Sequence, residues 1–279
     1  MGMEQKLIEI SGIQLAFIEQ NKMAANIIFF IHGNSGSSRT WYKQFSSPLF
    51  ASYRLIAFDL PAHGQSSASN NPEQDYSPVA TGEIIAKAIK HLAGNKTYVL
   101  VGFSYGTNVI AEALNHDIQP VGIVLSASCI IGADYGMDKA FKAGGTTIFF
   151  RDDNNEEEVK KFFTTALISS GVGNACIYTE DFFSVRSPFR STLLQSIIDG
   201  KVSDEIDFVK RLKIPVQVFF GLEDNLLNIH YLDDAPLSFW RKTIHKLPGA
   251  GHFLQSDQPE IFSRLLAEYL EERFTAGHV

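Results

Sequence analysis

The sequence predicts an α/β fold, a mostly parallel, doubly wound sheet of about eight strands carrying a helical insertion. Three observations lead there. Several runs are almost continuously apolar, as strands covered on both faces must be. Helix-compatible stretches separate those runs, so strand and helix alternate. At one strand-to-helix junction stands Gly102-Phe103-Ser104-Tyr105-Gly106, a Gly-x-Ser-x-Gly turn in the context that gives it meaning.

The elements follow in order. KLIEI (6–10) and IQLAFIE (13–19), joined by Ser11-Gly12, alternate apolar and polar residues and read as an outer hairpin. The runs at 26–32, 54–59 and 97–102 read as buried strands, with further strands at 121–126, 215–221 and 241–247. Ala80 to Leu92, Tyr105 to Leu114 and the amphipathic Pro259 to Phe274 read as helices. Between about residues 131 and 209 the alternation stops and no buried strand appears. That stretch is expected to form a mostly helical, aromatic-rich insertion, leaving 1–130 and 210–279 as one core domain. Its acidic run, Asp152 to Glu158, suits a solvated helix N-terminus favoured by the helix dipole.

Composition narrows the function classes. With 279 residues, 45% apolar and 20% charged, the chain can bury a large core, and disordered, collagenous and disulfide-scaffold classes drop out. A net charge of −7 repels phosphate backbones and argues against nucleic-acid partners. Cys129 and Cys176 lack CxxC spacing, which fits a reducing compartment. Residues 1–10 carry no basic-then-apolar leader, and Lys6 stands where a myristoylation signal needs Ser or Thr. The longest weakly polar run, Val121 to Ala133, falls short of the ~18 residues of a membrane span. A cytoplasmic protein with no membrane partner is expected.

The chemistry starts at Ser104. A serine between two glycines on a sharp turn projects its hydroxyl, and the following helix N-terminus favours an anion there. An ordinary βα turn explains the glycines but not the serine. A hydroxyl becomes nucleophilic only beside a base, itself oriented by a carboxylate, and in this topology the chain order is serine, acid, histidine. Asp224, at the end of the strand VQVFF, is the expected acid, with Glu223 as rival. His252 in PGAGHF follows the acid and precedes the last helix, which makes it the expected base. His230 falls in an expected helix, His245 in a strand and His278 in the tail. No HxH or HExxH spacing exists, so neither metal nor cofactor is expected. HGNSG after the strand 26–32 supplies a donor loop, and the backbone N–H groups of Asn34 and Tyr105 are the expected oxyanion hole. His32, Asp59 and His63 are expected to shape neighbouring turns.

The motifs HGNSGS, DLPAHGQS, GFSYG, GLED and PGAGH, in this order, resemble the α/β-hydrolase superfamily over nearly the whole chain outside the insertion. Ala62, where the family usually has Gly or Arg, and Thr107, where a small residue commonly follows the elbow, depart from its pattern. The resemblance implies that the insertion is a cap over the active site. Within the superfamily, HGNSGSS, DLPAHGQS, Tyr76-Ser77, FKAGG and the loop after GLED look similar to the metal-free N-acyl-homoserine lactone hydrolases of this fold. That likeness implies a serine esterase or lactonase acting on a small-molecule ester or lactone. Phe149, Phe150 and Phe253 are expected to line its pocket, with Phe162, Phe163, Phe182 and Phe183 either joining them or forming the insertion's own core. A ligand receptor with residual hydrolysis, and C–C hydrolase or haloperoxidase chemistry, are the alternatives on this scaffold. The motifs fix a reaction type, not acyl length, leaving group or oligomeric state.

Overall fold

The computed structural model describes residues 4–143, 147–169 and 171–276. Gly144 and Gly145 of FKAGG and His278 lie outside them. One eight-stranded sheet has the order β1-β2-β4-β3-β5-β6-β7-β8. Its strands are β1 (Glu4–Ile10), β2 (Ile13–Gln20), β3 (Ile27–Ile31), β4 (Arg54–Phe58), β5 (Tyr98–Phe103), β6 (Gly122–Ser126), β7 (Val216–Gly221) and β8 (His245–Leu247). β1 and β2 form the hairpin and pair antiparallel, as β2 does with β4, and every later pairing is parallel. The turn between β1 and β2 puts Ser11 and Gly12 at φ 53° and 82°, the left-handed pair of a type I′ hairpin turn.

Every residue of β3, β4, β6 and β7 is buried, which accounts for their unbroken apolar runs. The longer helices are α1 (Pro78–Ala93), α2 (Tyr105–Ala113), α3 (Glu156–Ala166), α4 (Gly171–Ser184), α5 (Phe189–Ile198), α6 (Glu205–Arg211) and α7 (Pro259–Ala276). α1 lies against α2 closely enough that a Cβ on Gly82 would collide with the Glu112 side chain. α7 packs through Phe262 against Phe219 of β7 and Trp41, and through Tyr269 against Trp240. No helix among the described residues is long and apolar enough to cross a membrane.

Between β6 and β7 the described residues add no strand to the sheet and form α3 to α6 with shorter helical turns. The acidic run opens α3 as read from the sequence: Asn155 caps the helix, and Glu156, Glu157 and Glu158 stand exposed in its first turn. Two expectations fail. The strand expected over 241–247 spans only His245–Leu247, because Trp240–Lys242 is a 3₁₀ turn with Arg241 and Lys242 at φ 52° and 56°. His230 lies in a turn rather than a helix, its Nδ1 2.8 Å from Asp233 Oδ2.

Candidate active site

β3 and β5 are neighbours although β4 separates them in sequence, so the strand order reverses between them. In an open α/β sheet, the crevice beyond the carboxyl ends of such a pair is where ligands collect. His32-Gly33-Asn34 leaves β3 and Ser104 leaves β5, so the topology alone brings two of the expected groups to one place. They touch closely: a Cβ on Gly33 would sit 3.0 Å from Ser104 Cβ.

Ser104 has φ 50° and ψ −124°, a conformation that costs a non-glycine residue about 1–3 kcal/mol. Its surroundings hold it there. The Ser104 N–H donates to Ser126 O at 2.9 Å, and its carbonyl accepts from the Thr107 N–H and hydroxyl, both at 2.7 Å. Thr107 thus fastens the turn, and its Oγ1 also accepts the Cys129 N–H. Both glycines of the motif are needed for close approach. A Cβ on Gly102 would meet Gly106 O at 2.7 Å, and one on Gly106 would run into the carbonyls of Ile31 and His32 at the end of β3.

His252 Nε2 lies 3.0 Å from Ser104 Oγ, and His252 Nδ1 lies 2.9 Å from Asp224 Oδ2. All three expected residues converge, from segments far apart in the chain. A carboxylate can only accept, so Nδ1 carries the proton and Nε2 turns its lone pair to the hydroxyl. Asp224 is held by the N–H groups of Leu226 (2.8 Å) and Leu227 (3.0 Å) on its Oδ1. Burial pushes its carboxyl up, but the His252 ring and those two amides outweigh burial and leave it below its ordinary value. Glu223 faces elsewhere. Its oxygens accept the N–H groups of Gly249 (3.2 Å) and Ala250 (3.1 Å), so it holds the loop that carries His252. Asp257 holds the same loop through the Gly251 N–H at 3.0 Å.

Tyr105 is the first residue of α2, where a backbone N–H has no intrahelical acceptor. Asn34 follows Gly33 beside the turn, and both Asn34 and Tyr105 line one cavity with Ser104 and His252. His32 and His63 are occupied by loop backbone, as read from the sequence: His32 Nε2 accepts the Leu60 N–H at 2.9 Å, and His63 Nε2 that of Ser35 at 3.1 Å. Burial lowers the pKa of both imidazoles. Asp59 accepts from Ser38 N–H (2.7 Å) and Gln65 N–H (2.9 Å).

The rest of the cavity wall is mainly apolar, and Phe149, Phe150 and Phe253 belong to it. Phe162, Phe163, Phe182 and Phe183 do not. Phe163 and Phe182 are buried with Phe149 in an aromatic cluster inside the insertion, and Phe183 is exposed. Sequence reasoning passed over three polar lining residues, Asn108, Cys129 and Glu205. Ser203-Asp204-Glu205 has the composition of a solvated helix start, and only the tertiary fold buries its glutamate. Among the described residues, no three His, Cys, Asp or Glu side chains are grouped so as to hold a metal ion.

A family model for the alpha/beta hydrolase family matches residues 28–265. An epoxide hydrolase of Caballeronia sordidicola is 34% identical over 108 residues, which are 38% of this chain and 31% of that protein. Protein ABHD8 of Homo sapiens is 37% identical over 82 residues, 29% of this chain and 18% of that protein. The chain thus matches less than a third of the length of these curated relatives. Among solved structures, the N-acyl homoserine lactonase AidH complexed with N-butanoyl homoserine is similar with a TM-score of 0.87, at 20% identity over 97% of each chain. The esterase RhEst1 from Rhodococcus sp. ECU1013 is similar with a TM-score of 0.77, at 21% identity over 97% of this chain and 99% of that one. At such identities the structural likenesses speak for the fold. Since the family model spans nearly everything from β3 into α7, the chain belongs to the alpha/beta hydrolase family.

Proposed function

We propose that this chain hydrolyses a small carboxylic ester or lactone through an acyl-enzyme on Ser104. The observation that carries the reading is the unbroken line from Asp224 through His252 to Ser104, at 2.9 and 3.0 Å, ending in a cavity. Ser104 Oγ attacks the substrate carbonyl while His252 Nε2 takes its proton. Asp224 orients the ring and stabilises the imidazolium. The backbone N–H groups of Asn34 and Tyr105 receive the developing oxyanion, each contributing about 3–4 kcal/mol to transition-state stabilisation. The C–O bond then breaks and His252 returns the proton to the leaving alkoxide, which in a lactone stays tethered to the acyl group. Water, deprotonated by His252, releases the acid and restores the serine.

The 131–209 insertion serves as a cap, with Phe149, Phe150 and Phe253 packing against the acyl chain. N-acyl-homoserine lactones are the proposed substrate class, supported by the apolar wall and by the likeness in fold to an N-acyl homoserine lactonase complexed with N-butanoyl homoserine. Two free thiols support a cytoplasmic location.

The test is a panel of p-nitrophenyl esters of increasing acyl length beside N-acyl-homoserine lactones, run with Ser104→Ala and with chelator. Turnover that chelator leaves intact and Ser104→Ala abolishes is expected. Equal activity in Ser104→Ala would end the proposal, and turnover that stops after about one equivalent would favour a ligand receptor.

A further inference from the structure

The turn that carries the expected oxyanion donor is strained, and a buried side chain of the insertion reaches into it. Gly33 O accepts the Gly36 N–H at 3.1 Å and His32 Nδ1–H at 2.7 Å, which closes a turn over residues 33–36. In a planar trans peptide the N–H points away from the carbonyl, so pinning Gly33 O also aims the Asn34 N–H. That N–H has no acceptor among the described residues. Ser35, third in the turn, sits at φ 61°, where turns of this kind usually place glycine. A serine stays there only if its surroundings hold it.

Three groups do so. The Ser35 N–H donates to His63 Nε2 at 3.1 Å, Ser35 Oγ lies 2.8 Å from Asn34 Oδ1, and Arg190 Nε lies 2.9 Å from Ser35 Oγ. A guanidinium can only donate, so Ser35 Oγ accepts from Arg190 and gives its own proton to Asn34 Oδ1. Asn34 Nδ2 then donates to Phe149 O at 2.8 Å. One directed line therefore runs Arg190, Ser35, Asn34, Phe149, with both ends in the insertion. Arg190 is the second residue of α5 and is buried. Its guanidinium also donates to Phe182 O and stacks over the Phe182 ring at 3.9 Å. Burial lowers its pKa to about 10, with the Asp152 charge opposing, so it stays charged at neutral pH.

We propose that Arg190 is a positioning residue of the oxyanion hole: through Ser35 it fixes the turn that aims the Asn34 N–H at the carbonyl oxygen under attack. The inference rests on the hydrolase reading of Ser104 and deepens it by assigning the insertion a part in catalysis. Without the Arg190 bond the Ser35 hydroxyl is free to turn from Asn34, and Ser35 is free to relax toward negative φ, which repacks the turn around the donor. A donor that acts on the developing oxyanion contributes to the transition state, so its displacement lowers kcat more than it raises KM. Deleting such a donor outright costs about 10²–10³ in kcat, and displacing it costs part of that.

The test compares kcat/KM for p-nitrophenyl hexanoate and for its thiono analogue, in which sulfur replaces the carbonyl oxygen. Sulfur is a weak acceptor, so the thiono ester draws little on the oxyanion donors. Arg190→Met, with no donor at the Nε position, is expected to lower kcat/KM for the oxygen ester about tenfold or more and to lower the oxygen-to-thiono ratio with it. A role confined to packing cuts both esters alike and leaves that ratio where it was. Arg190→Gln carries its amide nitrogen as many bonds from the backbone as the arginine Nε, so it should restore most of the ratio. Ser35→Ala breaks the line one step later with Arg190 in place. It should match Arg190→Met, and the two substitutions together should lower the ratio no further than either alone. If Arg190→Met does not fold, the ratio in Ser35→Ala decides. An unmoved ratio in Arg190→Met or in Ser35→Ala, an Arg190→Gln ratio as low as that of Arg190→Met, or effects that multiply when combined would each overturn the proposal. If the parent cleaves neither ester, the reading of Ser104 fails as well, whereas an active parent with an unmoved ratio in the variants removes only the role given to Arg190.

Discussion

Two neighbouring acids at the end of β7 illustrate how a side chain's task is set by what it can reach. Asp224 meets His252, while Glu223, one residue earlier, points its carboxylate at the amides of the loop that presents His252. Asp224→Asn, which disturbs the tautomer, is expected to lower kcat about 10⁴-fold. Glu223→Gln keeps one acceptor for the loop and should cost far less. An Asp224→Asn rate equal to the parent's would move the acid role to Glu223. Glu205 and Asp224 also pull stability in opposite directions with pH. The folded Asp224 carboxyl lies below its unfolded value, so its contribution is present above about pH 3.8 and is lost as pH falls through the folded pKa. Glu205 is raised. Below about pH 4.5 it is neutral in both states, and above that the unfolded chain ionises first, which draws stability down until the folded group ionises too. Glu205→Gln has no such penalty. Its gain in melting temperature over the parent should therefore widen from pH 4.5 upward, and a constant or shrinking difference would show that Glu205 folds ionised.

At the scale of elements, the strand-turn-helix unit around Ser104 depends on contact between α2 and the end of β3. Gly106→Ala forces a methyl into the carbonyls of Ile31 and His32, and is expected to cost at least about 1–3 kcal/mol and to misplace the serine. Gly173, within α4, has open space around its Cβ position and an ordinary helical backbone. Gly173→Ala should therefore stabilise the protein by about 0.5–1 kcal/mol, measurable by urea unfolding. Elements were legible where burial on both faces wrote a continuous apolar run, as in β3, β4, β6 and β7. They were less so at the sheet's far edge. β8 loses its first half to a turn in which Arg241, at positive φ, reaches Glu268 and Glu272 on α7 at 2.6 and 2.8 Å, and no local pattern encodes partners so distant.

At the scale of the molecule, the insertion is tied to the loop that carries Asn34. Asn34 Nδ2 donates to Phe149 O at 2.8 Å, Arg190 Nε donates to Ser35 Oγ at 2.9 Å, and Ser37 and Arg39 both bond Asp181 of α4, at 2.7 Å. The position of the expected oxyanion donor thus depends on the insertion. Asp181 is buried and Arg39 is half exposed, so Arg39→Met strands a carboxylate whose loss is partly screened by solvent, about 1.5 kcal/mol. A lowered unfolding midpoint together with slower ester turnover is expected, and a stability change with unaltered kinetics would uncouple the loop from the insertion. This layer was invisible in the sequence. Ser104, Asp224 and His252 sit in short motifs whose chemistry announces itself, whereas Arg190, Asp181 and Glu205 look like ordinary surface charges until the fold buries them.

The central claim is that the fold makes one hydroxyl reactive. Fluorophosphonate labelling followed by peptide mass spectrometry measures that directly. A single adduct on Ser104, formed quickly in the parent and suppressed in His252→Ala, is the expected result; an unlabelled Ser104, or labelling indifferent to His252, would contradict it.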